Sequence, residues 1–482
     1  MKQSSLRSMP LPHSQEGTNP AASAGQRDRF TTGLGVLFAT LGSAVGLGNI
    51  WKFPFLTGEN GGAAFLIVYL ISTILVGLPV MISELAIGRT ARADAVTSLQ
   101  KLSPRGAPWW LIGAAGGLAS FLILAFYTEV AGWVFAYIFK SLSTASLSTN
   151  PEATSQAFSS LVSNPLSSLV WQWIVLGLVG FIIILGVSKG IERTTRRLMP
   201  VLFFLLLVIC VRSLTLPGAG EGLAFLFKPD FSKLTAATLL TAMGLAFFKL
   251  SIGMGAMITY GSYFRDDQNI PLTAGRVMLA DLTVSLLAGM AVFPAVFAFG
   301  FQPDAGPSLL FITIPAVFAS MPLGQVFMFL FFILVAIAAT GAMISLLEVP
   351  VAFLCGRLGM RRRNATLLTL VLLALIGSTA ALSSSTLAGV TPFGKTFFDL
   401  YDYLTSNILL PVGGLFVCLF AGWAWGRKRV REALSNDGAL KNGAVASFFL
   451  FVVRFVSPLL VLIVLLHGLG LLDPLWRLLG IM

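Results

Sequence analysis

The sequence has few charged residues and few of the side chains that catalytic and metal sites use. Only 11% of its 482 residues are charged, whereas soluble domains carry about 25%. It has two histidines and three cysteines, and Cys210, Cys355 and Cys418 lie too far apart to match a metal or redox motif. These shortages exclude an ordinary soluble domain, and they predict that the protein is not an enzyme and carries no transition metal.

The first 28 residues lack the continuous apolar core of a signal peptide. They are polar and rich in Ser and Pro, a composition typical of segments that bury too little apolar surface to fold. Residues 1–28 are therefore predicted to form a disordered cytoplasmic tail.

Long apolar runs make up most of the rest. Hydrophobic residues account for 56% of the chain and its mean hydropathy is +0.87. Runs of about 20 apolar residues, each long enough to span roughly 30 Å of hydrocarbon, recur throughout. The chain is therefore predicted to be an all-α polytopic membrane protein that lies in the lipid bilayer. The eleven predicted spans lie near residues 32–55, 62–88, 111–139, 170–187, 197–214, 236–263, 274–300, 323–356, 365–382, 399–425 and 446–470.

Basic residues concentrate in alternate connections between these spans. The basic connections contain "GRTARADA", "SKGIERTTRR", "FRDDQ", "GRLGMRRR" and "GRKRVR". By the positive-inside rule they lie in the cytoplasm of a cell whose inner (plasma) membrane holds the protein, with the N-terminus inside and the C-terminus outside. The net charge of +12 then reflects topology and not nucleic-acid binding. A segment at 302–322 is predicted to place a short helix over the outer face.

Two spans contain residues that form poor membrane helices. The first contains "GSAVGLGNIWKFP" (42–54), and the sixth contains "FFKLSIGMGAM" with Gly253 and Gly255. Unpaired backbone groups cost several kcal/mol in lipid, so broken helices occur where they line a polar cavity. A matched pair of such breaks indicates an inverted-repeat transporter, and the free N–H groups at a break attract carboxylate. The alternative is a glycine-rich face for helix packing.

Several motifs resemble those of the neurotransmitter:sodium symporter family. They are "LGSAVGLGNIWKFPFLTGENGGAAFLIVYL", "SKGIER", "GMGAMITYGSY" and "SNILLPVGGLF". The resemblance covers the chain from about residue 27 and is closest to bacterial members with eleven helices. It implies a leucine-transporter fold, in which a 5+5 inverted repeat with broken helices 1 and 6 is followed by helix 11. It also implies transport of amino acids or related amines by alternating access, by a monomer or weak dimer.

The resemblance also implies domain limits and a substrate site. The repeats would span 29–215 and 230–426, with helix 11 and the C-terminus at 446–482. Gly46 stands where monoamine transporters carry an aspartate, so the substrate is expected to bring its own carboxylate. The rest of the pocket is apolar and contains two methionines, which suits a neutral side chain of medium or large size. The implied substrate-site residues are Ala44, Gly46, Leu47, Gly48, Ile123, Tyr127, Phe248, Lys249, Ser251, Met254, Met343 and Leu346.

Two gates follow from the same resemblance. The outer gate would pair Lys52 with Asp402, above a lid formed by Phe248 and Tyr127. The inner gate would use Arg27 and Tyr263. The aspartate that normally binds the arginine is replaced by Gly356, so a distinct or weaker inner lock is expected.

The first of the family's two sodium sites would lie near Ala44, Asn49, Lys249 and Asp281. Position 249 is normally Thr or Ser, and an ammonium group has three donors and no acceptor, so it cannot bind sodium. A charge at mid-membrane costs roughly 2.5–3.5 kcal/mol and normally pairs with another group. We therefore expect the Lys249 ammonium to replace sodium and to bridge Asp281 and the substrate carboxylate. The alternative is a lysine that extends to the membrane surface.

The second sodium site would use Gly42, Val45, Ala338, Gly341 and Ala342. Gly341 and Ala342 stand where relatives have hydroxyl side chains, so this site is predicted to be degenerate. Thr340 precedes the first hydroxyl position by one residue, about 100° away on an ideal helix.

The sequence thus predicts an amino-acid transporter that is independent of sodium or coupled to protons. Two alternatives remain open. One is conventional sodium symport through a residual site, because the family implies sodium. The other is a sensor or scaffold that binds amino acids without transporting them. The identity of the amino acid and any chloride requirement are not predicted.

Overall fold

A computed structural model describes residues 28–143, 148–300 and 309–472. The regular structure within these ranges is helical throughout, which confirms the predicted fold class. The long membrane helices, in chain order, are α1 (Gly33–Ala44 and Gly48–Glu59), α2 (Ala63–Ala91), α3 (Trp110–Lys140), α4 (Pro165–Ile184), α5 (Val187–Leu214), α6 (Ala236–Lys249 and Ala256–Gly261), α7 (Ile270–Ala298), α8 (Gly324–Leu358), α9 (Arg362–Ala381), α10 (Phe397–Ala424) and α11 (Gly443–Gly468).

Each of the eleven predicted spans coincides with one of these helices. In the described part of the chain, nine are long and apolar enough to cross a membrane, and the bent halves of α1 together make ten. The two pieces of α6 are each too short to cross alone. The protein is thus a multi-pass membrane protein. The largest boundary error is in α5, which begins ten residues before its predicted start because the "SKGIER" segment is itself helical.

Shorter helices lie between the membrane helices. They span Ala95–Leu102, Pro151–Val162, Ala219–Phe227, Thr313–Ala319 and Arg427–Ser435. Of the segment at 302–322, residues 302–308 lie outside the described residues, and the remainder contains the expected short helix. Just before that helix, Phe311 stacks on Phe158 with ring centroids 4.9 Å apart, so the segment packs on the Pro151–Val162 helix.

The break in α1 is short and lies within the predicted segment 42–54. Val45 and Gly46 are not helical, whereas Leu47 already has helical angles, and the two half-helices meet at 51°. The turn that follows, Gly48–Lys52, is a π-helix, which is common at functional sites. Pro54 lies in the first turn of the α-helical stretch Phe53–Glu59, which continues directly from this π-helix.

The break in α6 is longer and runs over residues 250–255. Ser251, Gly253 and Gly255 all have positive φ, at 52°, 77° and 74°. Glycine is required at 253 for a second reason, because an added Cβ would lie 2.4 Å from the Leu410 carbonyl oxygen. The backbone of α10 therefore packs directly against this break.

Burial separates an inner group of helices from an outer one. In their most apolar segments, 72% of α8 and 61% of α3 are buried, against 39% of α5 and α9. The inner helices enclose both breaks, so the irregular backbone is shielded from lipid, as hydrocarbon requires. The repeat limits at 29–215, 230–426 and 446–482 stay predictions. The predicted tail at 1–28 lies outside the described residues except for Asp28.

Candidate substrate and cation site

The two helix breaks are joined by side-chain hydrogen bonds. The Ser251 hydroxyl in the α6 break donates to the Ser43 carbonyl, which precedes the α1 break, over 2.7 Å. The Ser43 hydroxyl in turn donates to the Ser345 hydroxyl of α8 at 2.8 Å. Ser251 was predicted as a pocket residue, but its hydroxyl is occupied by this bond. Its role in this conformation is to tie α6 to α1.

A buried carboxylate also stabilises the α6 break. Glu84 of α2 has no exposed surface, and its Oε1 atom accepts a hydrogen bond from the Gly253 N–H at 2.6 Å. The acid therefore satisfies a backbone donor that the broken helix leaves open. The sequence analysis missed Glu84, although a single acid in the apolar run "PVMISELAIG" is a signal for such a role.

The N–H groups at the α1 break already have partners. The Gly46 N–H donates to the Asn49 side-chain oxygen at 3.2 Å, and the Leu47 N–H donates to the Tyr127 hydroxyl oxygen at 2.9 Å. The Tyr127 O–H keeps its own proton to donate. An added Cβ on Gly46 would lie 3.0 Å from that hydroxyl, so a larger residue would crowd the same space. The predicted carboxylate-binding groups thus converge at one point.

The predicted apolar pocket residues come from three helices. Phe248 belongs to α6 beside the break and is half-buried. The others are enclosed in one apolar cluster together with Leu47, and each is at most 4% exposed: Ile123, Met254, Met343 and Leu346. These four side chains are therefore closed off from solvent in this conformation.

Lys249 lies at the centre of a buried polar network. Its side chain is fully buried, and its Nζ atom is 3.1 Å from the Oδ2 atom of Asp281, which is also fully buried. The ammonium also donates to the Tyr69 hydroxyl at 2.7 Å and to the Ser285 hydroxyl. Asn49 donates to the other Asp281 oxygen at 2.6 Å. The pair predicted from sequence is therefore formed, and the amine does not extend to the membrane surface.

This network uses every donor of the ammonium. Tyr69, Ser285 and Asp281 take its three N–H groups. The predicted contact between Lys249 and a substrate carboxylate therefore requires that one of these bonds be given up. The side chain also fills the space beside the α1 break, because an added Cβ on Gly48 would lie 3.2 Å from the Lys249 Cγ atom.

The predicted outer gate closes over a cavity. Lys52 Nζ is 3.8 Å from Asp402 Oδ1 and lies 4.3 Å from the centre of the Phe248 ring. The Ser406 hydroxyl holds Asp402 at 2.8 Å. Both members of the pair line a cavity of about 260 Å³, together with Tyr127 and Phe248. Its other aromatic walls are Trp51, Phe55, Phe126, Trp133, Phe158 and Phe398.

The inner gate differs from the predicted pair. Arg27 lies outside the described residues, and Gly356 faces a neighbouring carboxylate, since an added Cβ there would lie 2.9 Å from Asp94 Oδ2. The Tyr263 hydroxyl instead donates to Glu348 Oε1 at 2.6 Å. Arg362 forms a bidentate pair with the same fully buried carboxylate. The predicted gate residue Tyr263 thus takes part in a lock whose two charged members, Glu348 and Arg362, the sequence analysis missed.

Comparisons with known proteins assign the family. The model of the Sodium:neurotransmitter symporter family matches residues 27–156 and 158–476. The chain belongs to this family. A relative in Bacillus subtilis, described as the uncharacterized sodium-dependent transporter YhdH, is 40% identical over 92% of this chain and 98% of its own length. A relative in Haemophilus influenzae, also described as an uncharacterized sodium-dependent transporter, is 34% identical with the same coverage.

A solved structure supports the same assignment. The crystal structure of MhsT in complex with L-phenylalanine superposes with a TM-score of 0.85 and is 42% identical, covering 92% of this chain and all of that one. The resemblance inferred from the motifs is therefore confirmed. This member of the sodium:neurotransmitter symporter family is a membrane transporter with the leucine-transporter fold, and not an enzyme.

The first sodium position in this family member does not fit a sodium ion. A sodium ion would need oxygen ligands at this site, but the Lys249 Nζ atom lies 3.1 Å from the Asp281 Oδ2 atom. The Asn49 oxygen is also committed, because it accepts the Gly46 N–H. A cation placed there would meet a positive charge instead of a ligand.

The second sodium position does not fit either, for a steric reason. An added Cβ on Gly341 would lie 2.6 Å from the Gly42 carbonyl oxygen, so α1 and α8 touch backbone to backbone. Ala342 packs likewise, with its Cβ 2.9 Å from where a Cβ on Gly46 would be. The predicted carbonyl ligands of Val45 and Ala338 thus have no hydroxyl partners at 341 and 342.

Thr340 does not supply the missing hydroxyl. It donates to the Ala336 carbonyl of its own helix at 2.8 Å, and α8 is continuous α-helix from Gly324 to Leu358. No irregularity turns Thr340 toward α1.

Proposed function

We propose that this protein carries neutral, mainly apolar amino acids across the inner membrane by alternating access, and that it does so without sodium. The Lys249–Asp281 pair carries this proposal. It supplies a positive charge beside the α1 break, where a dissolved cation would otherwise be needed to attract a carboxylate. At about 4 Å and an effective dielectric constant of about 20, the attraction between Lys249 and Asp281 is worth roughly 4 kcal/mol, which is enough to keep the ammonium at mid-membrane.

The α1 break supports an amino acid as the substrate. Tyr127 offers a neutral hydroxyl donor next to the break, and Gly46 brings no carboxylate of its own to hold an amine. Below them, Ile123, Met254 and Met343 provide an apolar surface for a side chain. MhsT, which is 42% identical, was crystallised with L-phenylalanine. A large neutral side chain is therefore the proposed specificity.

The network around Lys249 favours a fixed charge over a proton carrier. Three acceptors surround the ammonium, and a neutral amine has only two N–H groups, so one acceptor would lose its hydrogen bond if Lys249 lost its proton. Asp281 would also lose its counter-charge. Proton coupling through Lys249 is thus the second candidate. Conventional sodium symport is the third, and the names of the relatives favour it. A sensor or scaffold would not need an outer gate such as Lys52–Asp402.

Transport by the purified protein in liposomes tests the proposal. Labelled phenylalanine, leucine and other neutral amino acids are supplied with an inward gradient of sodium, of choline, or of protons. We expect equal uptake in sodium and in choline, and no stimulation by the proton gradient. Sodium-stimulated uptake that persists in Lys249→Ala would overturn the proposal. Binding without uptake would favour a sensor.

The substitution Lys249→Thr gives a sharper comparison. It removes the ammonium and leaves a hydroxyl beside Asp281, Asn49 and the Ala44 carbonyl, which are oxygen ligands suited to a hard cation. We expect this variant to acquire a sodium requirement for substrate binding, measured as a sodium-dependent shift in melting temperature with the amino acid present. The matched control is Lys140→Thr at the end of α3.

The orientation and assembly are part of the same proposal. By the positive-inside rule, the basic connections after α2, α4, α6, α8 and α10 support a cytoplasmic N-terminus and a C-terminus outside. The proposed transport unit is the monomer, with at most weak dimerisation, because one chain contains both breaks and both gates.

A further inference from the structure

A groove lies between the beginning of α3 and the end of α8, away from the substrate site. Its volume is about 360 Å³, and the short helix Ala95–Leu102 forms its third side. Its surface is mostly apolar and includes Gly113, Gly117 and Phe353. Because Gly117 has no atom within 4 Å of an added Cβ, the groove is open along α3.

One wall of the groove contains a buried carboxylate oxygen without a partner. Asp94 is 1% exposed, and its Oδ1 atom caps the Ala95–Leu102 helix by accepting the Thr97 N–H at 3.1 Å. Within the described ranges, its Oδ2 atom has no hydrogen-bond partner. A buried acceptor without a hydrogen bond costs free energy, so this oxygen would be stabilised by a donor from a bound molecule.

The opposite side of the mouth contains a positive charge. Arg357 lies in the last turn of α8, and one of its guanidinium nitrogens donates to the Gln100 side chain at 2.7 Å. Asp94 and Arg357 both line the groove, but among the described residues no ion pair joins them. The mouth therefore presents one negative and one positive group at separate points.

The groove has the depth and exposure of a site that opens to the bilayer. Its charged mouth lies where α3 begins and α8 ends, at the edge of the membrane, and Trp110 is placed there as interfacial tryptophans are. From Trp110 to Leu118 the groove descends about 12 Å at 1.5 Å per residue. Trp110 and Leu118 are 42% and 51% exposed, so this side faces lipid.

We propose that this groove binds a zwitterionic phospholipid whose headgroup carries a primary ammonium. The ammonium donates to Asp94 Oδ2, the phosphate pairs with Arg357, and an acyl chain lies along Gly113 and Gly117. A trimethylated ammonium has no N–H to donate, and a glycerol headgroup has no positive charge. The site therefore distinguishes phosphatidylethanolamine from phosphatidylcholine and phosphatidylglycerol.

Native mass spectrometry of the full-length protein tests this site. The protein is titrated with phosphatidylethanolamine, phosphatidylcholine or phosphatidylglycerol of identical acyl chains, and bound lipids are counted. We expect several-fold higher retention of phosphatidylethanolamine, and loss of that preference in Asp94→Asn. Asparagine caps helices as well as aspartate does, so the Ala95–Leu102 helix remains capped. The control Asp267→Asn removes an exposed carboxylate and leaves the preference unchanged.

A second variant keeps the test independent of Asp94. Gly117→Leu fills the open part of the groove without meeting another atom at its Cβ, and we expect it to lower retention of all three lipids. Equal retention of the three lipids by the wild-type protein would overturn the proposal. So would a phosphatidylethanolamine preference that survives both Asp94→Asn and Gly117→Leu.

Discussion

The two positions where the family resemblance predicts sodium are occupied in different ways. At the first, Lys249 supplies the charge of a cation, and the acid, amide and hydroxyl partners around it remain. At the second, Gly341 lets the backbones of α1 and α8 meet, and an added Cβ there would lie 2.6 Å from the Gly42 carbonyl oxygen. The first position therefore still holds a positive charge, whereas at the second there is only a contact between α1 and α8. Substitutions at the first position should therefore act through charge, and substitutions at the second should act through steric overlap.

The largest effect is expected when the charge at the first position is removed. Lys249→Met leaves Asp281 buried and unpaired, and breaking a buried pair in this way costs about 3–5 kcal/mol. We expect a large drop in melting temperature in detergent. The double variant Lys249→Met with Asp281→Asn should recover most of it, because no charge is left unpaired. A single variant as stable as the wild type would show that the pair does not hold the α1 and α6 breaks.

A smaller and purely steric effect is expected at the second position. Gly341→Ser restores a hydroxyl where relatives have one, but its Cβ would lie 2.6 Å from the Gly42 carbonyl oxygen. We expect a loss of about 1–3 kcal/mol in unfolding free energy, typical of overpacking, and no response to sodium. The control Gly275→Ser sits where an added Cβ has no neighbour. Stabilisation of Gly341→Ser by sodium would mean that α1 and α8 separate readily.

The link between the two breaks should show an intermediate effect. Ser251→Ala removes the hydrogen bond to the Ser43 carbonyl, which is worth about 0.5–1.5 kcal/mol. The remaining network around Lys249 is untouched, so the substitution tests the geometry of the breaks without changing the charge. We expect weaker amino-acid binding with little change in sodium response, measured by thermal shift. Unchanged binding affinity would contradict a role for this bond in holding the site.

The smallest effect is expected at the outer gate. Asp402→Asn weakens a contact with Lys52 whose members are 40% and 26% exposed, and such pairs contribute about 0–1 kcal/mol. We expect nearly unchanged stability and faster release of bound amino acid at low salt. The difference between variant and wild type should shrink as ionic strength rises, because exposed charges are screened. A difference that is independent of salt would argue against an electrostatic gate.

The sequence was sufficient for the fold and for the central ion pair. The apolar runs predict the membrane spans, and the paired glycine breaks predict the transporter class. A lysine at mid-membrane needs a partner of opposite charge, and Asp281 was the available acid. Ser285 could also have been found, since it follows Asp281 by four residues on the same helical face. The sequence could not show that all three N–H groups of the Lys249 ammonium have acceptors, because one of these acceptors is the Tyr69 hydroxyl of α2.

Other features depend on distances that no pattern of residue types records. The closure of the second site is a contact between two backbones, and a glycine in sequence indicates only that such an approach is permitted. Glu348 was not predicted, because the resemblance implies an inner gate at the position of Gly356, two turns further along α8. Its partners lie far apart in sequence, Tyr263 in the turn after α6 and Arg362 at the start of α9, and only the folded chain brings them together.

The attachment of Lys249 to the chain has an energetic consequence for the transport cycle. A dissolved ion is released on the far side of the membrane, so its gradient and the voltage across the bilayer can drive accumulation. A tethered ammonium returns with the empty carrier, and with Asp281 beside it the site moves no net charge in either direction. Under the proposed mechanism, this protein can equilibrate amino acids across the membrane or swap one for another, but it cannot concentrate them.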